Sequence, residues 1–222
     1  MLKLGLIGKN ISHSKSQDTY ESLLKQSVSY SLLDFATEQD IPSLERLFEE
    51  NQFDGLSVTA PYKRFMAKRV LHTLPFEIVN CIRWSSGESI GTNTDYLALQ
   101  KLLPKMLSEQ SLEKIILLGN GAMAELVSII SKRLCLDLTH FYRTKENEIE
   151  ELDLSSQENA LIINACSRSF RYRGKLPAMG VFWDFNYENL EQQKLIKNIR
   201  YVDGIELLKE QAKEAISFWQ LN

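Results

Sequence analysis

A lysine and an aspartate, each just past a strand, are the residues of this sequence best suited to moving a proton. Lys63 closes the segment Ser57-Val58-Thr59-Ala60-Pro61-Tyr62-Lys63, and Asp95 closes Gly91-Thr92-Asn93-Thr94-Asp95. An ammonium beside a carboxylate can hand a proton to a reacting oxygen, since burial and a neighbouring charge tune when it does so. The two are 32 residues apart, so spacing alone does not join them. A structural ion pair and two solvated ends are the alternative readings. Thr59, Asn80 and Asn93 add uncharged hydroxyl and amide groups at strand ends. Such groups suit a polyhydroxy ligand. Ser14 and Ser16, in His13-Ser14-Lys15-Ser16, stand where a helix opens. Paired hydroxyls at a helix N-terminus suit an anion such as a carboxylate, and plain N-capping is the alternative.

A second constellation lies further on. The apolar run Lys114–Leu118 leads into Gly119-Asn120-Gly121-Ala122-Met123-Ala124. This fits G-x-G-x-x-G/A, the turn in which glycines let a backbone approach a pyrophosphate at a helix N-terminus. An NAD site keeps an acid roughly 20 residues after the glycines. Counting along reaches the end of Leu136–Tyr142, where Arg143-Thr144-Lys145 stands instead. A guanidinium can fork onto a phosphate, and a threonine hydroxyl can donate beside it. The reading is NADP rather than NAD, held by Gly119, Asn120, Gly121, Ala122, Arg143, Thr144 and Lys145. A solvated basic turn is the alternative.

The elements that must position these residues alternate. Strands are expected at Leu2–Gly8, Val28–Phe35, Phe53–Val58, Ile78–Trp84, Ser89–Thr92, Lys114–Leu118, Leu136–Tyr142, Ala160–Ala165, Val181–Phe185 and Arg200–Val202. Helices are expected at Ser16–Gln26, Ile41–Asn51, Tyr62–Leu71, Tyr96–Leu107, Ala122–Leu134 and Ile205–Leu221. The Ser85-Ser86-Gly87-Glu88 cluster reads as a hairpin turn. Alternating β and α with strands apolar on both faces predicts parallel sheets in an α/β protein. The pattern changes near residue 100, which predicts two domains.

Composition narrows the function. The 222 residues carry a net charge of −3 with no basic stripe, which gives nucleic acid no electrostatic footing. No apolar run approaches the roughly 20 residues of a membrane span. Cys81, Cys135 and Cys166 form no CxxC pair, and scattered His13, His72 and His140 offer no metal cluster. A cytoplasmic protein with reduced thiols and no metal is expected.

The segments together, in order along nearly the whole chain, resemble the shikimate dehydrogenase family. They include Gly5-Leu6-Ile7-Gly8 leading to His13-Ser14-Lys15-Ser16, then Val58-Thr59-Ala60-Pro61-Tyr62-Lys63, Val79-Asn80-Cys81 and Gly91-Thr92-Asn93-Thr94-Asp95. Arg143-Thr144, Ile163-Asn164-Ala165-Cys166-Ser167, Asp203-Gly204-Ile205-Glu206-Leu207-Leu208 and Gln211-Ala212 follow. The resemblance implies an N-terminal substrate domain over 1–100, joined by a C-terminal helix, 205–222, that returns to it. It implies an NADP-binding Rossmann-like domain over 101–204, with substrate and cofactor in a cleft between domains. Lys63 and Asp95 would be the catalytic pair. Ser14 and Ser16 would hold the substrate carboxylate. Thr59, Asn80, Asp95 and Gln211 would hold its hydroxyls, and Tyr187 would reach the substrate from the cofactor domain. The implied activity is reversible reduction of 3-dehydroshikimate to shikimate with NADPH, in a monomer or homodimer. Quinate is the alternative substrate. A non-catalytic shikimate-binding homologue is the alternative outside enzymes, motivated by Ala122 in place of a glycine and by a chain shorter than usual for the family.

Overall fold

The computed structural model describes residues 1–12, 14–144 and 148–221. The chain divides into two compact units, Met1–Leu97 with Leu208–Asn222, and Ala98–Leu207.

The first unit is a six-stranded sheet in the order β2-β1-β3-β5-β6-β4. Its strands are β1 (Leu2–Gly8), β2 (Val28–Asp34), β3 (Gly55–Val58), β4 (Leu71–His72), β5 (Cys81–Ser85) and β6 (Glu88–Thr92). The first three are mutually parallel, and β5 runs antiparallel to both β3 and β6. The sheet is therefore mixed rather than parallel, because the β5–β6 hairpin reverses the chain. Its turn puts Ser86 and Gly87 at φ 54° and 83°, the paired positive values that match strand twist. Neighbouring strand residues point to opposite faces, and the core follows. Ile7, Leu56, Val58 and Ile82 pack with Leu44, Leu47 and Phe48 of α2 (Leu44–Asn51) and with Met66 and Ala67 of α3 (Lys63–Ala67). On the other face Leu4, Val28 and Cys81 meet Tyr20 of α1 (Ser16–Leu24) and Ala212, Ala215 and Trp219 of α7 (Ile205–Trp219). The Trp219 indole lies over Gly55, where a Cβ would collide with it, and its Nε1–H donates to the Ile82 carbonyl at 2.9 Å. The end of the chain is thus stitched into the first sheet. Helix α2 starts three residues later than expected, because the Ser43 hydroxyl accepts from the Arg46 N–H and sets the cap there.

The second unit is an all-parallel sheet, β11-β10-β9-β7-β8. The strands are β7 (Lys114–Leu118), β8 (Leu138–Phe141), β9 (Ala160–Asn164), β10 (Gly180–Asp184) and β11 (Arg200–Val202). Counted within the unit the order is 2-1-3-4-5, the doubly wound order of flavodoxin-like sheets, whose switch point lies between the first and third strands. Helix α5 (Ala122–Arg133) follows β7. Helix α4 (Thr94–Glu109) leads into the unit. Strands β7, β9 and β10 are buried over nearly their whole length, as parallel central strands should be. Between β8 and β9 no described residue is helical. Ile149 and Leu154 instead cover Ile116, Ile162 and Phe182 directly. Among the described residues one α-helix escaped the pattern, α6 (Leu190–Leu195, LEQQKL). It has no apolar stripe. It is pinned by its fully buried Gln192, which accepts from the Tyr172 N–H at 2.9 Å and donates to the Tyr172 carbonyl at 3.3 Å.

Candidate functional site

In the first unit the fold performs the joining that spacing could not. The Lys63 ammonium donates to Asp95 Oδ2 at 2.6 Å, with side chains only 12% and 11% exposed. Two local structures set this up. Thr59 through Tyr62 form a tight turn closed by Tyr62 N–H to the Thr59 carbonyl, 3.0 Å, with a cis bond at Ala60–Pro61. The Tyr62 ring is buried and its hydroxyl donates to the Phe35 carbonyl at 2.6 Å, so Lys63 starts α3 from a fixed point. Asp95 sits in the first turn of α4. That helix is capped by Asn93, whose side-chain oxygen accepts from the Tyr96 N–H at 2.8 Å while its amide donates to the Ile78 carbonyl. Asn93 is fully buried and spent on this cap. It is therefore a positioning group rather than the ligand contact that its amide suggested.

Asn80 links the two turns. Its main chain bridges Val58 and Thr92, and its side-chain oxygen accepts from the Thr94 N–H at 2.7 Å. The Thr94 hydroxyl lies within 3.0 Å of the Asn80 amide and donates to Gln211 Oε1 at 3.1 Å. Gln211 comes from α7, 117 residues away from Thr94 in sequence. Asn80, Thr94 and Gln211 therefore form one polar cluster, and Asp95, the residue after Thr94, brings the Lys63 pair to the start of the same helix. Thr94 is the cluster's missed member. It stands between two singled-out residues, and nothing in its local spacing shows that it reaches both Asn80 and Gln211. Asp95 also acts at a distance on the floor below. Burial first, and the Asp95 carboxylate second, push the Cys81 thiol well up. The Tyr20 hydroxyl, raised mainly by burial, rests 3.2 Å from Ser57 Oγ.

Ser14 and Ser16 are half-buried, and their hydroxyls touch at 3.1 Å. Ser14 Oγ accepts the Ser16 N–H at 3.3 Å, while no side chain caps α1 at Lys15. Thr59 lies half-buried at the end of β3, its methyl over Gly8.

In the second unit the glycine loop divides its labour. Gly119 has φ 120°, and a Cβ there would come within 2.9 Å of the Ala165 backbone. It must be glycine for β7 and β9 to close up at the switch point. Gly121 caps α5, and its absent Cβ would point into open space. No side chain caps α5. Open room above an uncapped 12-residue helix is what a pyrophosphate needs, so the residues present fit a dinucleotide. Asn120 is exposed and Ala122 half-buried beside that opening. Arg143, 60% exposed, follows β8 and pairs with Glu150. Its charge reaches Cys166, at the end of β9. That thiol is pushed up to about 12 by burial, with Arg143 pulling the other way. Thr144 is exposed next to it. Lys145 lies outside the described residues.

Tyr187 sits half-buried in a loop organised by Asp184, a fully buried carboxylate that sequence reasoning left without a role. Asp184 accepts from Asn164, Asn186, Asn189 and Tyr201 at 2.8 to 3.1 Å. Arg168 donates to the Tyr187 and Glu188 carbonyls at 2.8 and 3.1 Å. Among the described residues there is no group of side chains that could hold a metal ion and no helix long and apolar enough to cross a membrane.

A buried lysine–carboxylate pair in one α/β unit and a glycine turn that fits a dinucleotide in another are parts that suit the class of nucleotide-dependent oxidoreductases. Comparison with known proteins sharpens the class. Residues 6–74 match the model of the shikimate dehydrogenase substrate binding domain. The shikimate dehydrogenase (NADP(+)) of Saccharolobus islandicus, strain L.S.2.15, is 28% identical over 97% of this chain and 88% of its own length. That of Clostridium botulinum, strain 657, is 24% identical over 100% and 98%. Among solved structures, shikimate dehydrogenase 1 from Peptoclostridium difficile shares the fold at a TM-score of 0.73 and 20% identity, covering 99% of this chain and 92% of that one. The Thermus thermophilus enzyme, solved with NADP(H) and shikimate, gives a TM-score of 0.72 at 20% identity, over 99% and 93%. The chain is thus similar to shikimate dehydrogenases over nearly its whole length.

Proposed function

We propose that this protein is a cytoplasmic NADP-dependent shikimate dehydrogenase that interconverts 3-dehydroshikimate and shikimate in aromatic amino-acid biosynthesis. The observation that carries the reading is the nearly buried Lys63–Asp95 pair, held at 2.6 Å. Bound NADPH supplies hydride to the ketone carbon. The oxygen left behind needs a proton, and Lys63 gives it while Asp95, bonded to the ammonium at 2.6 Å, holds it in place. Asn80 and Gln211 offer donors and acceptors to ring hydroxyls, held by the fully buried Thr94 between them, and Thr59 adds one at the end of β3. Ser14 and Ser16 take the carboxylate of the substrate. The first unit is thus the substrate domain, with α7 as part of it. The second is the cofactor domain, with Gly119 to Ala122 under the pyrophosphate, Arg143, Thr144 and Lys145 at the 2′-phosphate, and Tyr187 as its contribution to substrate binding. The test is NADP reduction followed by absorbance with shikimate and quinate side by side. Turnover of shikimate with NADP, and much less with NAD, is expected. Binding of shikimate without any turnover identifies a non-catalytic homologue instead, and a preference for quinate reassigns the substrate.

A further inference from the structure

The end of β8 carries no acid in sequence, yet the fold delivers one. Arg143 donates through its guanidinium to Glu150 Oε1. Glu150 is not a loosely hung partner. Its main-chain carbonyl accepts from the Arg173 and Gly174 N–H groups at 2.6 and 3.1 Å. A Cβ at Gly174 would collide with the Leu152 carbonyl, and the buried Tyr172 donates its hydroxyl to that same carbonyl at 2.6 Å. Ile149, next door, is in the core at 3% exposure. The carboxylate is only 25% exposed against 60% for Arg143, and it also accepts the Ile149 N–H at 3.1 Å. The anchored member of the pair is therefore the acid, and the arginine is the member that can move away.

We propose that Glu150 is a specificity-determining residue that competes with the 2′-phosphate of the cofactor for Arg143. The inference rests on the NADP reading above. A guanidinium engaged by a fixed carboxylate must be released before it can fork onto a phosphate, and a carboxylate left within reach repels the phosphate dianion. The same carboxylate accepts well from unphosphorylated ribose hydroxyls, which is the role of the acid in NAD sites. Glu150 thus weakens NADP binding and narrows the preference for NADP over NAD below what Arg143 alone would give.

The experiment is a binding titration, by cofactor fluorescence, of NADPH and NADH to the wild type, Glu150→Gln, Arg143→Ala and the double variant. Glu150→Gln keeps the side-chain shape and an acceptor for the Ile149 N–H. It should bind NADPH tighter by about fivefold, the scale of a partly exposed ion pair, with NADH unchanged or weaker. Most of that gain should vanish in the Arg143→Ala background. Glu150→Ala, checked by its melting curve, should give the same direction. NADPH binding by both Glu150 variants that is unchanged or weaker, while Arg143→Ala still loses NADPH selectively, overturns the role of Glu150 alone. Equal loss of NADPH and NADH on Arg143→Ala overturns the 2′-phosphate assignment itself, and this inference with it.

Discussion

Replacing Lys63 by Ala separates a proton donor from a structural ion pair. The pair is nearly buried, with 12% and 11% of its side chains exposed. Removing one partner of a buried pair typically costs about 3–5 kcal/mol of stability. A domain stable by about 5–15 kcal/mol survives that, but the loss has to be kept apart from catalysis. Losing general acid help lowers turnover by about 100-fold or more, which is about 2.7 kcal/mol on the barrier. For unfolding to mimic this, the variant would have to be about 99% unfolded, which far-UV circular dichroism detects at once. Lys63→Met, which keeps the apolar stem, is the companion variant. The assay is steady-state turnover of shikimate with NADP, with substrate binding followed by calorimetry. The expected result is at least about 100-fold lower turnover in both folded variants with shikimate still bound. Asp95→Asn should also slow turnover, and the double variant should be less than additive, since the two act as a unit. Folded variants with near-normal turnover and only weakened binding would remove Lys63 from the chemistry and leave it an anchor.

The two glycines of the loop should part company. Gly119→Ala should destabilise the fold by about 1–3 kcal/mol in denaturant melts, given its left-handed backbone and the Ala165 contact, whereas Gly121→Ala should leave stability unchanged and weaken cofactor binding. Ser14→Ala with Ser16→Ala should raise the Michaelis constant for shikimate with turnover nearly unchanged; unaltered affinity would make these hydroxyls local braces of α1. Iodoacetamide at mildly alkaline pH should label exposed Cys135 and spare Cys81 and Cys166, read by mass spectrometry. The Cys166 thiol is raised in the folded state to about 12, so its neutral form stabilises the fold below the ordinary thiol pKa of 9.0, and that contribution fades as pH rises from there toward about 12.

What the sequence reveals here follows the range over which each interaction acts. Strand β7 and the helix after its glycines are local events, set by an apolar run and a turn, and both lie where the pattern places them. Helix α6 is invisible in the pattern because its stability comes from Gln192 seizing the backbone of Tyr172, 20 residues away, and not from a stripe of its own. The mixed first sheet follows from the hairpin at Ser86-Gly87, whose turn chemistry is legible although its consequence for strand direction is not drawn from periodicity alone.

The same division runs through the site. Lys63 and Asp95 announce themselves by type and by place at strand ends, but their meeting depends on Asn93 and Asn80. The side chains of those two tie the start of α4 to the segment entering β5. An amide at a strand end thus has two possible uses that look alike in sequence. Asn93 caps and is closed to a ligand. Asn80 bonds Thr94, whose hydroxyl continues to Gln211 at the edge of the cluster. Only burial and partner geometry distinguish them. Glu150 makes the case from the other side. Counting along the chain finds no acid where an NAD site would keep one, while the chain between β8 and β9 sends Ile149 into the core and carries Glu150 to Arg143. A cofactor preference read from the residue at a strand end is therefore incomplete until the chain that follows has been traced back to it.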